Sequence, residues 1–303
     1  MTDPITPPSR RVDAPGLGIA CLIGGSFFVM INDVAVKWST DALPVGEIVF
    51  LRSGFAVLTL LTYVAVRGSW HQLRVFNVRG QALRAALMSV ATLIYFSAIG
   101  SMPLADITAM TFISVIVVTA LSPWLLGEHV GWRRWTAVIV GFVGVIVLLR
   151  PSPTGLYWIA LLPLGASTMG ALRDLITRRI NPTESSISML FYTTLAEAVL
   201  GATTAPFVAW KPIALETLAP LAVAGAMFTI AQFLHIEAFR YAEASVVSPF
   251  RYTSLVWAVL LGYAIWGDLP DSWTLAGATI IVGSGLYILR RETRLARERK
   301  ARR

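Results

Sequence analysis

The chain has 303 residues, of which 56% are apolar and only 14% are charged, and its mean hydropathy is +0.68. Soluble domains carry about 25% charged residues, so this composition excludes an ordinary soluble domain. The formal charge of +8 could indicate nucleic-acid binding, but most basic residues flank apolar runs, as is typical of anchoring beside anionic lipid. We therefore expect membrane lipid, and no nucleic acid, as a partner.

The apolar runs are each close to the roughly 20 residues that cross the hydrocarbon core of a bilayer. Short links containing Pro, Gly or Asp separate them, so neighbouring spans must run antiparallel. We predict an all-α integral membrane protein with ten transmembrane helices. In chain order these are Gly16–Lys37, Val45–Val66, Gln81–Gly100, Leu104–Leu126, Trp132–Leu149, Gly155–Thr177, Ser186–Trp210, Thr217–Phe239, Ala244–Trp266 and Trp273–Leu289.

The distribution of Lys and Arg predicts the orientation of these spans, because cytosolic segments are enriched in basic residues. With the N-terminus in the cytosol, eighteen basic residues lie inside, eight of them in the tail after Leu289. The outside links hold only Lys37, Arg150 and Lys211. We expect a bacterial-type inner (plasma) membrane protein with both termini in the cytoplasm.

The chain also repeats itself. An offset of 140 residues aligns Ala98–Arg150 with Ala238–Arg290 without a gap and pairs Phe112 with Tyr252. An offset of 141 pairs Asp33 with Asp174 in the first span of each half. Five spans per half is an odd number, so the second repeat must insert upside down, as in secondary transporters. We predict a cytosolic tail (1–15), a first repeat (16–150), a second repeat (151–290) and a basic cytosolic tail (291–303).

Two stretches carry a family resemblance. The segment PLADITAMTFISVIVVTALSPWLLGEHVGWRRWTAVIVGFVGVIVLLRP (Pro103–Pro151) and its counterpart Ala244–Arg291 resemble the signature region of the EamA branch of the drug/metabolite transporter superfamily. The first span, with Asn32-Asp33-Val34-Ala35-Val36-Lys37-Trp38, also fits that family. The resemblance implies two inverted five-helix EamA repeats, a cavity between them and alternating access. Within the family, the sequence is similar to YddG-type amino-acid exporters and to carriers that import adenosylmethionine or riboflavin.

Charged side chains within the spans are the main candidates for function, because a charge that faces lipid costs several kcal/mol. Asp33, Glu47, Arg52 and Asp106 are predicted toward the outer side. Those predicted toward the inner side are Arg84, Arg173, Asp174, His235, Glu237 and Arg251. These two layers suit gates on either side of a central site, and the alternative is static ion pairs. The gate or ion-pair candidates are Glu47, Arg52, Arg84, Asp106, Asp174 and Glu237.

Arg251 is the sharpest single case, because its guanidinium could hold a substrate carboxylate as a fork. The alternative is an ion pair with Glu237 or Glu197. Glu197, near the middle of the seventh predicted span, is a candidate for carrying a coupling proton. For Asp33 and Asp174 we favour pairing with the basic residue four positions later, Lys37 and Arg178.

A central cavity between the repeats is expected to be lined by polar, aromatic and methionine side chains. The candidates are Met30, Asp33, Tyr95, Thr111, Met169, Arg173, His235, Arg251, Tyr252 and Trp257. The leading hypothesis is export of amino acids, and the alternative is uptake of a nucleotide-like or vitamin solute. We expect a small-molecule substrate, a monomer or weak dimer, no cofactor, no metal site and no enzymatic activity, since metalloprotease and hydrolase motifs are absent.

Overall fold

A computed structural model describes residues 14–126, 132–149, 158–180, 184–241 and 248–301. Over these residues the regular structure is helical, without strands. The α-helices are α1 (Pro15–Ser39), α2 (Val45–Arg67), α3 (Val78–Ile99), α4 (Leu104–Thr111), α5 (Ile113–Leu126), α6 (Trp132–Leu149), α7 (Leu161–Ile180), α8 (Ser186–Ala202), α9 (Leu215–Tyr241), α10 (Thr253–Trp266) and α11 (Ser272–Ala301). Short 3-10 helices cover Trp70–Leu73, Trp158–Ala160 and Ser248–Tyr252.

Six helical stretches are long and apolar enough to cross a membrane by length and composition. They are Gly16–Ser39, Val45–Arg67, Val78–Ile99, Leu104–Leu121, Trp158–Thr177 and Leu215–His235. Trp135–Leu149 and Ser186–Ala202 are shorter apolar helices. All ten predicted spans overlap helices in the described part of the chain, and the protein is a multi-pass membrane protein.

Several predicted boundaries are wrong. The fourth span is two helices that meet at Phe112. The seventh ends at Ala202 rather than Trp210, because the Thr203 and Thr204 hydroxyls donate to carbonyls of the last turn and the chain leaves the helix. The tenth helix continues past Leu289 to Ala301, since the Arg, Glu and Ala residues of that tail are good helix formers.

The distribution of side chains is the reverse of that in a soluble protein. Large apolar residues face outward, such as Phe142 at 55% exposure and Val199 at 57%. Charged residues are enclosed, with Glu47 and Glu197 at 0% and Arg52 at 2%. This arrangement fits a lipid environment, where a charge is tolerated only inside the bundle or in a wet cavity.

Helix packing is symmetric when the two halves of the sequence are exchanged. The contact of α1 with α9 is matched by that of α7 with α3, and the contact of α2 with α9 by that of α8 with α3. The contact of α5 with α7 is matched by that of α10 with α1. Two further contacts, α2 with α8 and α6 with α11, map onto themselves. The internal repeat of the sequence is therefore also a repeat of the packing, and most packing joins one half to the other.

Glycines allow the halves to approach closely at the α2–α8 contact. A Cβ added at Gly201 of α8 would lie 2.6 Å from the backbone nitrogen of Phe50 and 2.7 Å from the carbonyl oxygen of Gly46, both in α2. These neighbours are backbone atoms, so they cannot move aside as a flexible side chain would. Gly165 of α7, in contrast, has nothing within 4 Å of an added Cβ.

We predict that Gly201→Ala lowers the stability of the bundle by about 1–3 kcal/mol, the usual cost of overpacking. Thermal unfolding of the purified protein in detergent measures the change. Gly165→Ala is the matched control, and it should be neutral or slightly stabilising because alanine is the better helix former. Equal melting temperatures for the two variants would contradict close packing of α2 on α8.

Candidate functional site

A cavity of about 460 Å³ lies between the two halves of the bundle. Its walls come from α1, α2, α3, α4, α5, α7, α9, α10 and α11, together with the 3-10 turn before α10. The size lies in the range of pockets that enclose small ligands. The polar and charged side chains in its lining are Ser26, Asn32, Asp33, Arg52, Thr92, Tyr95, Thr108, Thr111, Ser114, Thr119, Ser167, Arg173, Asp174, Gln232, His235, Arg251, Tyr252 and Ser254.

Much of this lining consists of residues that are equivalent in the two repeats. The rings of Phe112 and Tyr252, 140 positions apart, contact each other edge to face with centroids 4.9 Å apart. Ser114 and Ser254 have the same offset and both line the cavity. The cavity therefore lies where the two repeats face each other.

One local arrangement occurs in both repeats. In α1, Asn32 Nδ2 donates to Asp33 Oδ1 at 2.9 Å. In α7, at an offset of 141, Arg173 Nε donates to Asp174 Oδ1 at 3.0 Å, and the two side chains form an ion pair. Each repeat thus presents a carboxylate to the cavity, and each carboxylate is held by the residue before it.

The first of these carboxylates is connected to the centre of the bundle. Asp33 Oδ2 accepts from the Tyr95 hydroxyl at 3.0 Å. Asn32 Oδ1 accepts from Arg52 Nε at 3.0 Å, and Arg52 Nη1 donates to Glu197 Oε2 at 2.7 Å. An unbroken chain of hydrogen bonds therefore runs from the cavity wall to Glu197 in the second repeat.

The Arg52–Glu197 ion pair is fully enclosed and its oxygens are satisfied. Glu197 Oε2 also accepts from the Ser53 hydroxyl at 3.1 Å, and Oε1 accepts from Thr92 at 2.9 Å. The Arg52 guanidinium lies 3.7 Å from the centroid of Phe228, a cation–π contact. Five helices, α1, α2, α3, α8 and α9, thereby meet at one pair of charges.

Two side chains of the cavity keep unused hydrogen-bonding capacity. Arg251 is exposed, and in the described part of the chain its guanidinium has no hydrogen-bond or ion-pair partner. His235 Nε2 is buried and has no hydrogen-bond partner among the described residues. A guanidinium and an imidazole with nitrogen atoms that make no hydrogen bond suit an anionic group on a ligand.

Polar contacts join the halves at the end of the bundle where α1 stops and α11 starts. Lys37 Nζ lies 3.6 Å from Asp268 Oδ2, donates to the Met102 carbonyl at 2.8 Å and stacks over Trp266 at 4.6 Å. The Thr274 hydroxyl donates to Asp106 at 2.8 Å. We call this set, Lys37, Asp106, Asp268 and Thr274, the bridged end.

Most of the predicted cavity residues do line the cavity: Met30, Asp33, Tyr95, Thr111, Arg173, His235, Arg251 and Tyr252, together with Arg52 and Asp174 from the gate candidates. Met169 and Trp257 are not part of the lining, and neither are Glu47, Arg84, Asp106, Glu237 and Glu197. Trp257 instead packs edge to face on Phe27, with centroids 5.1 Å apart.

The side chains outside the lining have other contacts. Glu47 accepts from the backbone N–H of Lys211 at 3.1 Å. Arg84 donates to the Thr177 hydroxyl and the Met189 carbonyl, both at 2.9 Å. These contacts reach from α2 or α3 into the second repeat, which fits the static alternative that the sequence left open.

Two predicted details and one alternative are wrong. Asp33 does not pair with Lys37, because Lys37 reaches across the bundle to Asp268. Glu197, one of the two alternative partners of Arg251, pairs with Arg52 instead. Arg251 lies in the 3-10 turn that precedes α10, although the predicted ninth span, Ala244–Trp266, placed it within a transmembrane helix. The predicted pairing of Asp174 with Arg178 involves a side chain outside those the structure describes.

Sequence reasoning missed Asn32 and Gln232, two amides of the lining. Their repeat offsets were the available signal, because Asn32 is equivalent to Arg173, and Gln232 to Thr92, which also lines the cavity.

A sequence profile described as the EamA-like transporter family matches residues 16–150 and again residues 154–290. An S-adenosylmethionine uptake transporter of Rickettsia bellii is 30% identical over 263 residues, which cover 85% of this chain and 88% of that protein. A riboflavin transporter of Vibrio cholerae is 28% identical over 282 residues, which cover 92% of this chain and 94% of that protein. The pseudopaline exporter CntI of Pseudomonas aeruginosa is 28% identical over 270 residues, which cover 88% of this chain and 93% of that protein.

A solved crystal structure also superposes on this chain with a TM-score of 0.62, covering 88% of this chain and 95% of its own, at 18% identity. At that identity the likeness concerns the fold alone.

We predict that breaking the central ion pair on one side destabilises the protein more than removing both charges. Arg52→Met or Glu197→Met should each cost about 3–5 kcal/mol, because a buried charge loses its partner. The double variant Arg52→Met/Glu197→Met should recover part of that loss. A double-mutant cycle of thermal unfolding in detergent measures the coupling. Additive losses in that cycle would contradict the ion pair.

Proposed function

Because the chain belongs to the EamA-like transporter family, we propose that it is a secondary carrier that moves a small metabolite across the inner membrane by alternating access. The cavity between the repeats supports this proposal most directly. It is enclosed by both halves, it is lined by repeat-equivalent residues, and it contains charges of both signs. Repacking of the two halves would expose such a site to one side of the membrane at a time.

The membrane arrangement of this carrier is part of the proposal. We propose ten spans in two inverted five-helix repeats, with both termini in the cytosol and the bridged end facing outward. The exchange symmetry of the packing and the excess of basic residues on one side support it. In this arrangement Lys37–Asp268 and Asp106–Thr274 close the outer side of the cavity and open when the halves move.

For the substrate, we propose a zwitterionic metabolite with an amino-acid group. Asp33 and Asp174 suit the ammonium group, and Arg251 and His235 suit the carboxylate. The names of the relatives do not support a free amino acid as the cargo or YddG-type exporters as the model. S-adenosylmethionine, named for the Rickettsia relatives, has such an amino-acid group, so uptake of a nucleotide-like solute is the second candidate.

The remaining lining fits an amphipathic solute. Phe112, Phe228 and Tyr252 supply aromatic surface, and a row of hydroxyl groups supplies hydrogen bonds. An adenine ring or an aromatic side chain stacks on such surfaces. The relatives include both an uptake carrier and an exporter, so their names do not favour one direction of transport for this chain.

We predict saturable flux in proteoliposomes loaded with labelled S-adenosylmethionine, riboflavin or amino acids. Arg251→Ala should lower the flux of an anionic or zwitterionic substrate about tenfold, the loss expected for a hydrogen bond to a charged group. Arg290→Ala, an exposed arginine of α11 outside the cavity, is the matched control. Unchanged flux in Arg251→Ala together with a normal melting temperature would remove Arg251 from the site.

The inverted topology has its own prediction. His71 follows α2 and Lys211 follows α8, so the two positions are equivalent in the repeats. In a Cys21→Ser background, His71→Cys should react with a membrane-impermeant thiol reagent only from the cytosolic side, and Lys211→Cys only from the outside. Arg294→Cys on the basic tail is the cytosolic reference. Labelling of both positions from one face would overturn the inversion and the carrier mechanism that depends on it.

A further inference from the structure

A second cavity lies on the surface of the helix bundle, along the line where α3 and α8 meet. Its volume is about 700 Å³ and its lining is almost entirely apolar. Ala82, Ala86 and Val90 of α3 form one wall, and Tyr192, Leu195 and Val199 of α8 form the other. We call it the α3–α8 groove. Leu195 and Val199 are 39% and 57% exposed, so this surface faces the bilayer.

The contact equivalent to α3–α8 when the two halves are exchanged, between α9 and α2, is tight, because a Cβ at Gly225 of α9 would lie 2.5 Å from the carbonyl oxygen of Arg52. At the offset of 140 that pairs Thr92 with Gln232, the residue equivalent to Gly225 is Ala85 of α3, which lines the groove. The side chain of its neighbour Arg84 reaches the Met189 carbonyl and the Thr193 hydroxyl of α8. An alanine thus takes the place of a glycine where α3 meets α8.

The end of the groove nearest the start of α3 is cationic. Arg79 is exposed and lies three and seven residues before Ala82 and Ala86, so it shares their face of the helix. Arg74 lies just before α3 and is also exposed. Residues 74–84 contain three arginines and no acidic residue. The Glu184 carboxylate lies near the start of α3, but it is only 7% exposed and accepts from the backbone N–H groups of Phe76 and Asn77. This end of the groove therefore attracts an anionic group.

A buried acceptor lies at the same level. Gln81 lines the groove and is 3% exposed. Its Nε2 donates to carbonyls of α8, and its Oε1 has no hydrogen-bond partner among the described residues. A headgroup with hydroxyl donors next to Arg79 would satisfy this oxygen.

The length of the groove matches one leaflet. From Val78 to Val90, α3 advances about 18 Å, against roughly 15 Å for half of the hydrocarbon core. We propose that the α3–α8 groove binds an anionic phospholipid of the leaflet at the start of α3. An acyl chain lies between α3 and α8, and the phosphate contacts Arg79 and Arg74.

Such a lipid would touch both repeats, because α3 belongs to the first and α8 to the second. It would therefore favour the arrangement of the two halves in which the groove is open. The inference requires a membrane-embedded chain but not a particular cargo, so it can fail while the proposed carrier function stands.

Retention of lipid by the purified full-length chain tests the proposal. Native mass spectrometry during titration with dioleoylphosphatidylglycerol or dioleoylphosphatidylcholine gives the two affinities. Phosphatidylglycerol should bind at least about fivefold more tightly, the factor expected for one arginine near the headgroup. Arg79→Gln should reduce that preference, Arg74→Gln/Arg79→Gln should remove it, and both variants should leave the affinity for phosphatidylcholine unchanged. Ala86→Trp, which fills the groove, should weaken both lipids at least tenfold.

Matched controls are available on α2. Arg67→Gln removes an exposed arginine at the same end of the bundle, and Ala65→Trp adds an indole at an exposed position outside the groove. Neither should change the lipid affinities. If Ala86→Trp does not fold, Ala82→Leu tests the same wall of the groove.

Equal affinities for the two lipids in the wild-type chain, or full retention of lipid in the groove-filling variant, would overturn the proposal. So would a dimer that Ala86→Trp converts to monomer without any loss of lipid, because the groove would then be occupied by a second copy of the chain.

Discussion

The Arg52–Glu197 ion pair joins the two repeats beside the cavity, with its side chains only 2% and 0% exposed. A pair of this kind is stable only when its remaining hydrogen-bonding capacity is met. Here Asn32, Ser53 and Thr92 meet it. Because the five residues come from α1, α2, α3 and α8, the position of each helix depends on the others. The cavity takes its shape from this constraint, since Asn32 also holds Asp33 at the cavity wall.

Many side chains at the cavity wall are equivalent in the two repeats, and others differ between them. Phe112 and Tyr252 meet as equivalents, and Asp33 and Asp174 are each held by the preceding side chain. The repeats differ at the residue before each carboxylate. The position equivalent to Asn32 is Arg173, which binds Asp174 but has no hydrogen-bonded chain leading to an ion pair of the Arg52–Glu197 type among the described residues. A substrate in the cavity thus meets two unlike carboxylates, which suits recognition of an asymmetric molecule.

The same helix presents one face to the cavity and another to the lipid. In α3, Tyr95 and Thr92 face the interior, whereas Ala82 and Ala86 face the bilayer. Arg84 lies between these surfaces and bonds to α7 and α8. A gate or ion-pair candidate of the sequence is therefore hydrogen-bonded to two helices of the second repeat.

Sequence reasoning recovered the helices well, because apolar length and flanking charge are local properties of the chain. It also recovered much of the cavity lining, since a charged residue within a span must face inward. Apart from helix boundaries, the errors concern the partners of charged residues and two of the lining residues. Lys37 was expected to bind Asp33 four residues away, but Asp268 is its partner. Met169 and Trp257 resembled lining residues, yet the rotation of their helices places them outside it.

By itself, the sequence determined that the chain belongs in a membrane, roughly where its helices begin and end, and that it consists of two related halves. These properties depend on hydrophobic length and on comparison of residues at one offset. Only the tertiary structure decided which charges pair and which face the cavity. Arg52 and Glu197 are 145 positions apart, and their meeting depends on how four helices rotate and pack. No local pattern records that rotation, because it minimises the free energy of the whole bundle.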